Sequence, residues 1–261
     1  MQFIKTSAFL LIFIVASAFM PGNISFEENQ KNFERVSDAY NRKEEYVKMK
    51  CRAKEIPEET FGNIFLRAFK AEEMMEVWVQ KPDGRYVKFN EFKIYAMSGT
   101  LGPKRQQGDC QVPEGFYYIS DFNPVSSYHL SLGINYPNES DNKLSTAAKK
   151  GDNIYIHGAR ASAGCLAMSN YYIEDIYIYA VKAKTNGQQK IPVHIFPFKM
   201  TKENMERFGH YQQFAKNQKL WNNLLTGYNM FEKNNRLPEV SVGNDGYYNF
   251  SDAPTASTAS K

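Results

Sequence analysis

The spacing of apolar and polar residues changes several times along the chain, and each change marks a candidate element. After a single charge at Lys5, residues 8–20 carry no charge and run into the small residues Ala16, Ser17 and Ala18. A charged start, a short apolar run and small residues near its end predict a secretory leader over residues 1–22. The run is shorter than the roughly 20 apolar residues that cross a bilayer comfortably; the alternative is a retained N-terminal anchor. Residues 26–54 are charged and helix-permissive, with Phe33, Val36 and Tyr40 on one face. The period then shortens. Residues 64–69 and 75–79 read as strands, followed by Lys81-Pro82-Asp83-Gly84 with Pro and Gly where a tight turn needs them. Further strands are expected at 92–96, 116–120, 128–134, 153–157 and 191–196. Between them, residues 98–115 hold four Gly and two Pro among polar neighbours, a long loop of the kind that often carries function. Ile173, Ile176, Tyr177, Ala180 and Val181 recur at helical spacing, with Asn170 as a candidate cap. Helical spacing returns over 201–234, with Thr201 as a cap and Phe208, Trp221, Leu224 and Tyr228 to pack, and residues 244–261 read as a disordered tail.

This order predicts a mainly β, α+β fold with peripheral helices. Its parts are a helical extension over 23–62, a core domain over 63–200 and a second helical extension over 201–243. An aromatic content of 15% favours sheet in the middle of the chain. The net charge of +4, or +3 without Lys5, is too small and too dispersed to point to nucleic acid. Three cysteines are an odd number for an exported chain, so at least one stays unbridged; Cys51 and Cys110 are either a disulfide or two buried thiols.

The chemistry concentrates where a strand ends in His157-Gly158 and a short polar stretch leads to Gly164-Cys165. A histidine at a strand end is held by the sheet yet faces open space, and glycine after it lets the chain turn. Backbone N–H groups at Gly164-Cys165 can stabilise an oxyanion, and the positive end of a following helix can lower a thiol pKa. A thiol beside an imidazole base is what nucleophilic cysteine catalysis requires. Cys165 and His157 lack further ligands at metal spacing, so no metal is expected. His129 alternates with Leu130 and Leu132 and is a candidate for facing substrate, whereas His194 reads as structural and His210 as surface.

Several ordered motifs go further: Ser98-Gly99, Leu101-Gly102-Pro103-Lys104, Gly108-Asp109, Pro113-Glu114-Gly115, Tyr128-His129-Leu130-Ser131, Ile156-His157-Gly158, Ser162 and Gly164-Cys165. Through them the chain, over about residues 63–200, resembles the L,D-transpeptidase catalytic-domain (YkuD) family, in particular its YafK-like branch. The resemblance implies a β-sandwich-like catalytic domain and no cofactor. It also implies a cysteine that attacks a diaminopimelate carbonyl in a peptidoglycan stem peptide to form a thioester. An amine then makes a cross-link, or water hydrolyses the thioester, trimming the wall or releasing a diaminopimelate-linked protein. Carried over by position, Cys165 is the nucleophile, His157 the base, and the N–H groups of Gly164 and Cys165 line the oxyanion hole. Location in the periplasm or cell envelope follows. The wider family has Ser-His-Gly-Cys, a hydrophobic residue and Arg where this chain has Ser162-Ala163-Gly164-Cys165-Leu166-Ala167. Arg160 is the nearest cation to replace the missing Arg, against an ordinary solvated loop charge. Tyr128, His129, Ser162 and Lys104 lie where substrate contacts are expected. A fold retained without turnover, as a wall-binding module, is the reading from a different class.

Overall fold

The computed structural model describes residues 24–57 and 61–252, so the expected leader lies outside the described residues. Helix α1 (Phe26–Lys31) begins in a capping box between Ser25 and Glu28. Helix α2 (Glu34–Ala53) buries Val36, Ala39, Tyr40, Lys43, Val47 and Cys51, one stripe at helical spacing. Its target is α4 (Ser169–Thr185), whose residues 173–181 are buried throughout. Two acids on α4 meet the basic edge of α2: Lys43 pairs with Asp175 at 3.3 Å and Arg42 with Glu174 at 2.7 Å.

Eight strands form one sheet: β1 (Ile64–Phe69), β2 (Met74–Gln80), β3 (Tyr86–Lys93), β4 (Gly115–Asn123), β5 (Ser131–Ile134), β6 (Tyr155–His157), β7 (Leu166–Ala167) and β8 (Pro192–Phe196). Their order is β3-β2-β1-β8-β4-β5-β6-β7, antiparallel except for the parallel pairs β1·β8 and β6·β7. Strand β1 is buried along its whole length because both faces are covered. Ile64, Leu66 and Ala68 join the core that includes α2 and α4, while Phe65 and Phe69 join aromatic clusters on α6 (Gln218–Asn234). Strand β4 carries the chain between the two halves of the sheet. Residues 115–118 pair with β8 and residues 119–123 with β5, with an irregularity between Ile119 and Asp121. The expected α+β fold rich in strands is therefore present, as one curled sheet with helices against it.

Three local expectations fail for identifiable reasons. The expected tail is ordered through residue 252, because β9 (Glu239–Val242) and β10 (Tyr248–Ser251) form a hairpin held by its aromatic side chains. The buried Tyr248 ring and Phe250 both pack on Phe116, and the Tyr248 hydroxyl accepts a hydrogen bond from Phe116 N. Residues from 253 onward lie outside the described residues. Tyr128 and His129 lie in a turn before β5 rather than in a strand, with His129 at φ 73°. Cys51 and Cys110 are not bridged to each other and are not both buried: Cys51 faces the core from α2, whereas Cys110 is exposed on the 98–115 loop. The other elements are α3 (Glu139–Leu144), α5 (Lys202–Gly209) and a 3-10 turn (Gln212–Asn217) that leads into α6. Among the described residues no helix is long and apolar enough to cross a membrane.

Candidate active site

The parallel pairing of β6 and β7 brings the segments that carry Cys165 and His157 side by side. Ile156 pairs with Leu166 and His157 with Ala167, so Cys165 falls beside Tyr155. Cys165 precedes β7 and His157 ends β6, so the two residues lie on neighbouring segments of the sheet. The Sγ atom of Cys165 accepts from Tyr155 N at 3.4 Å and faces Asn153 O at 3.7 Å. In this resting arrangement the thiol proton points at a carbonyl.

His157 is only 2% exposed and its ring is fixed on two sides. Nδ1–H donates to Gly158 O, which leaves Nε2 as the basic nitrogen. The half-exposed Tyr128 ring covers the imidazole at 4.7 Å between centroids. Glycine at 158 is required: a Cβ there would stand 2.6 Å from Tyr128 O and 2.8 Å from the Asn170 side-chain oxygen. Burial holds the His157 pKa below its ordinary 6.5, against the opposing bond to Gly158. Burial also raises the Cys165 thiol above its ordinary 9.0, outweighing the Tyr155 N–H and the charge of Lys104. A thiol activated by a helix end is thus not what the chain builds. Strand β7 separates Cys165 from α4, and the resting pair is neutral thiol and neutral imidazole.

The backbone donors are also engaged. Gly164 N donates to Ser98 Oγ at 2.6 Å and Cys165 N to Ser162 Oγ at 3.1 Å. The Ser98 hydroxyl in turn donates to Cys110 O, and that of Ser162 to Cys165 O. The expected oxyanion donors therefore carry hydroxyl partners in the resting site. Ser162 sits on the Cys165 loop, as a contact residue should, but its hydroxyl is spent on the backbone.

The remaining candidates divide. Arg160 is exposed, its guanidinium 4.9 Å from the centre of the Tyr95 ring. Lys104 is not a substrate-facing cation: it is 5% exposed and closes its own loop by donating to Asp109 Oδ1 at 2.7 Å and to Gln106 O. His129 is committed as well, with Nε2 2.9 Å from Glu174 Oε1 on α4, and Arg35 donates to its carbonyl. The carboxyl of Glu174 is held low by His129 and Arg42 although burial, the largest influence, opposes them.

A model of the L,D-transpeptidase catalytic domain (YkuD) matches residues 70–195. YafK of Escherichia coli strain K12, provisionally named an L,D-transpeptidase, is 34% identical over 198 residues, covering 75% of this chain and 77% of its own length. The chain belongs to the L,D-transpeptidase (YkuD) family. Among solved structures, the helical cell shape determining protein Pgp2 from Campylobacter jejuni aligns with a TM-score of 0.43 at 19% identity, covering 70% of this chain and 73% of that one. Bdellovibrio bacteriovorus Bd1075 aligns with a TM-score of 0.39 at 18% identity, covering 74% and 86%.

Within this L,D-transpeptidase-family site, three groups gain roles that the sequence did not suggest. Asn170, expected to cap α4, instead accepts from Ala159 N at 2.7 Å, and at the start of that helix the Ser169 hydroxyl accepts from Tyr172 N. Ser98 joins the 98–115 loop to the Cys165 loop. Tyr155 contributes its amide to the sulfur rather than its ring. None of the three has a periodicity signal, since each acts through backbone atoms distant in sequence.

Proposed function

We propose that this chain is an exported enzyme that forms a thioester between Cys165 and a diaminopimelate carbonyl of a peptidoglycan stem peptide. The observation that supports this is the His157 Nδ1–H bond to Gly158 O, which leaves Nε2 as the basic nitrogen on a strand paired with the one that follows Cys165. With substrate bound, the thiol turns from Asn153 O to Nε2, sulfur attacks the carbonyl carbon, and the proton passes to the imidazole. The imidazolium then gives that proton to the departing amine of the terminal D-amino acid. A second amine, deprotonated by Nε2, attacks the thioester and restores the thiol. Cys165 N–H becomes an oxyanion donor when the Ser162 hydroxyl turns away from it, and Arg160 on Tyr95 is the cation available to a substrate carboxylate. The leader over residues 1–22 would deliver the enzyme to the periplasm or cell envelope.

The test is incubation of the protein and its Cys165→Ala variant with muropeptides, with products weighed by mass spectrometry. Cross-linked dimers from the parent alone support transfer. Monomers that have lost a C-terminal residue assign hydrolysis to the same thioester. Substrate that binds the parent but returns unchanged overturns the enzymatic proposal.

A further inference from the structure

A cavity of about 640 Å³ opens between the 98–115 loop and the C-terminal helical extension, and neither Cys165 nor His157 lines it. That volume lies within the range of about 300–1,000 Å³ usual for small-ligand sites. Its mouth carries Gln106, Gln213 and Lys216, all exposed, and its floor Phe214 and Leu220. Asn217 lines the wall at 5% exposure, and among the described residues its Nδ2 has no hydrogen-bond partner. That nitrogen lies against the Gly102 wall, 2.7 Å from where a Cβ on Gly102 would stand. An unsatisfied buried donor is costly and marks a place where a partner is wanted. The charges leave a cation in surplus. Asp109 is occupied by Lys104 Nζ and by the amides of Arg105, Gln106 and Gln111, and Arg105 pairs with Asp141. Lys216 makes no ion pair among the described residues.

Carboxamides and a lysine around an apolar, aromatic floor suit a ligand rich in amide and hydroxyl groups, whose oxygens accept from these side chains. The cavity shares a wall with the active site. Gln111 lines it and accepts from Thr100 N, while Gln111 O packs 3.1 Å from the Cβ position of Gly164. Three extended residues span about 10 Å, roughly the thickness of one packed layer of chain. A sugar chain in the cavity can therefore keep its peptide arm within reach of Cys165. We propose that this cavity is a second binding site, for the N-acetylated glycan that carries the stem peptide; this rests on the stem-peptide substrate proposed above.

Calorimetric titration of the full chain carrying Cys165→Ala tests it, using disaccharide-tetrapeptide, disaccharide alone and sugar-free tetrapeptide. Disaccharide alone should bind. Replacing the exposed Gln213 and Lys216 by Ala, with folding checked by circular dichroism, should weaken both sugar-bearing ligands about tenfold and leave the sugar-free peptide where it was. No binding of disaccharide, or equal effects of the double substitution on all three ligands, overturns the proposal. Turnover is read separately: disaccharide bound at the cavity by a protein that never acylates Cys165 refutes the thioester chemistry and leaves the glycan site standing.

Discussion

In the proposed mechanism His157 is prepared as a base by geometry rather than by charge. Burial lowers its pKa below 6.5 and raises that of the Cys165 thiol above 9.0, so neither group is ionised in the free enzyme near neutral pH. Protonation of the imidazole removes the base, and it occurs only below pH 6.5. The acid limb of kcat/KM should therefore fall below pH 6.5, and alkylation of Cys165 by iodoacetamide should climb only toward and beyond pH 9. Fast alkylation already at pH 5 would reveal a resting thiolate–imidazolium pair and contradict this electrostatic account. Asn170 is the positioning residue behind the base. Its side-chain oxygen holds Ala159 N, and Ser169 N holds Ala159 O, so the turn that presents Gly158 O to Nδ1 is braced from both sides. Asn170→Ala should lower kcat roughly 10–100-fold with little change in KM. Because the bond from Gly158 raises the His157 pKa, losing it should also move the acid limb to lower pH. Asn170→Asp keeps the accepting oxygen and should restore most of both; a loss of stability alone would move neither the limb nor its rescue.

At the scale of elements, the site depends on how the 98–115 loop is fastened beneath its polar surface. Lys70, at the end of β1, donates to Gly102 O, Val112 O and Glu114 Oε1, while Glu114 also accepts from Gly102 N and Trp221 Nε1. Burial, the largest influence, draws the Lys70 pKa below its ordinary value although Glu114 opposes it. Lys70→Met leaves the Glu114 carboxylate buried without its cation and should cost about 3–5 kcal/mol in urea denaturation. An unchanged midpoint would refute the role assigned to this pair. Such fastenings were not legible in the sequence. Strands β1, β2 and β8 are legible as short apolar runs bounded by turn residues, and α2 from the period that one-sided burial imposes on its side chains. Lys104 on its loop and His129 in an expected strand read as contacts because neither the pairing with Asp109 nor that with Glu174 leaves a pattern in the sequence. The β9–β10 hairpin was missed because its order comes from Phe116, over a hundred residues away. Cys165 and His157 were legible from local Gly punctuation together with ordered motifs. The parallel register that brings their segments side by side depends on strands of two and three residues, too short to show periodicity.

The whole molecule meets at Asp141, where loop, sheet and helix are joined on one carboxylate. It accepts from Tyr117 on β4, from Arg105 on the 98–115 loop and from Asn138 N at the start of α3. Burial raises its pKa from 3.8 to about 6, despite Arg105 and those hydrogen bonds. Between these two values the native state holds a proton that the unfolded chain has released, so stability falls as pH rises through this window and levels off above it. A rise of this size corresponds to about 3 kcal/mol, a large part of the roughly 5–15 kcal/mol that separates folded from unfolded domains. Asp141→Asn removes the titration while keeping the shape. Measured in urea, the stability of the parent minus that of Asp141→Asn should decline by roughly 2–2.5 kcal/mol between pH 4 and pH 7, with most of the change complete by about pH 6. A difference independent of pH would mean that the three elements meet at Asp141 without depending on its protonation. The decline has the opposite sign to that of salt-bridged surface carboxylates, whose contribution is lost as pH falls. The subtraction therefore isolates this buried junction from the other acids of the chain.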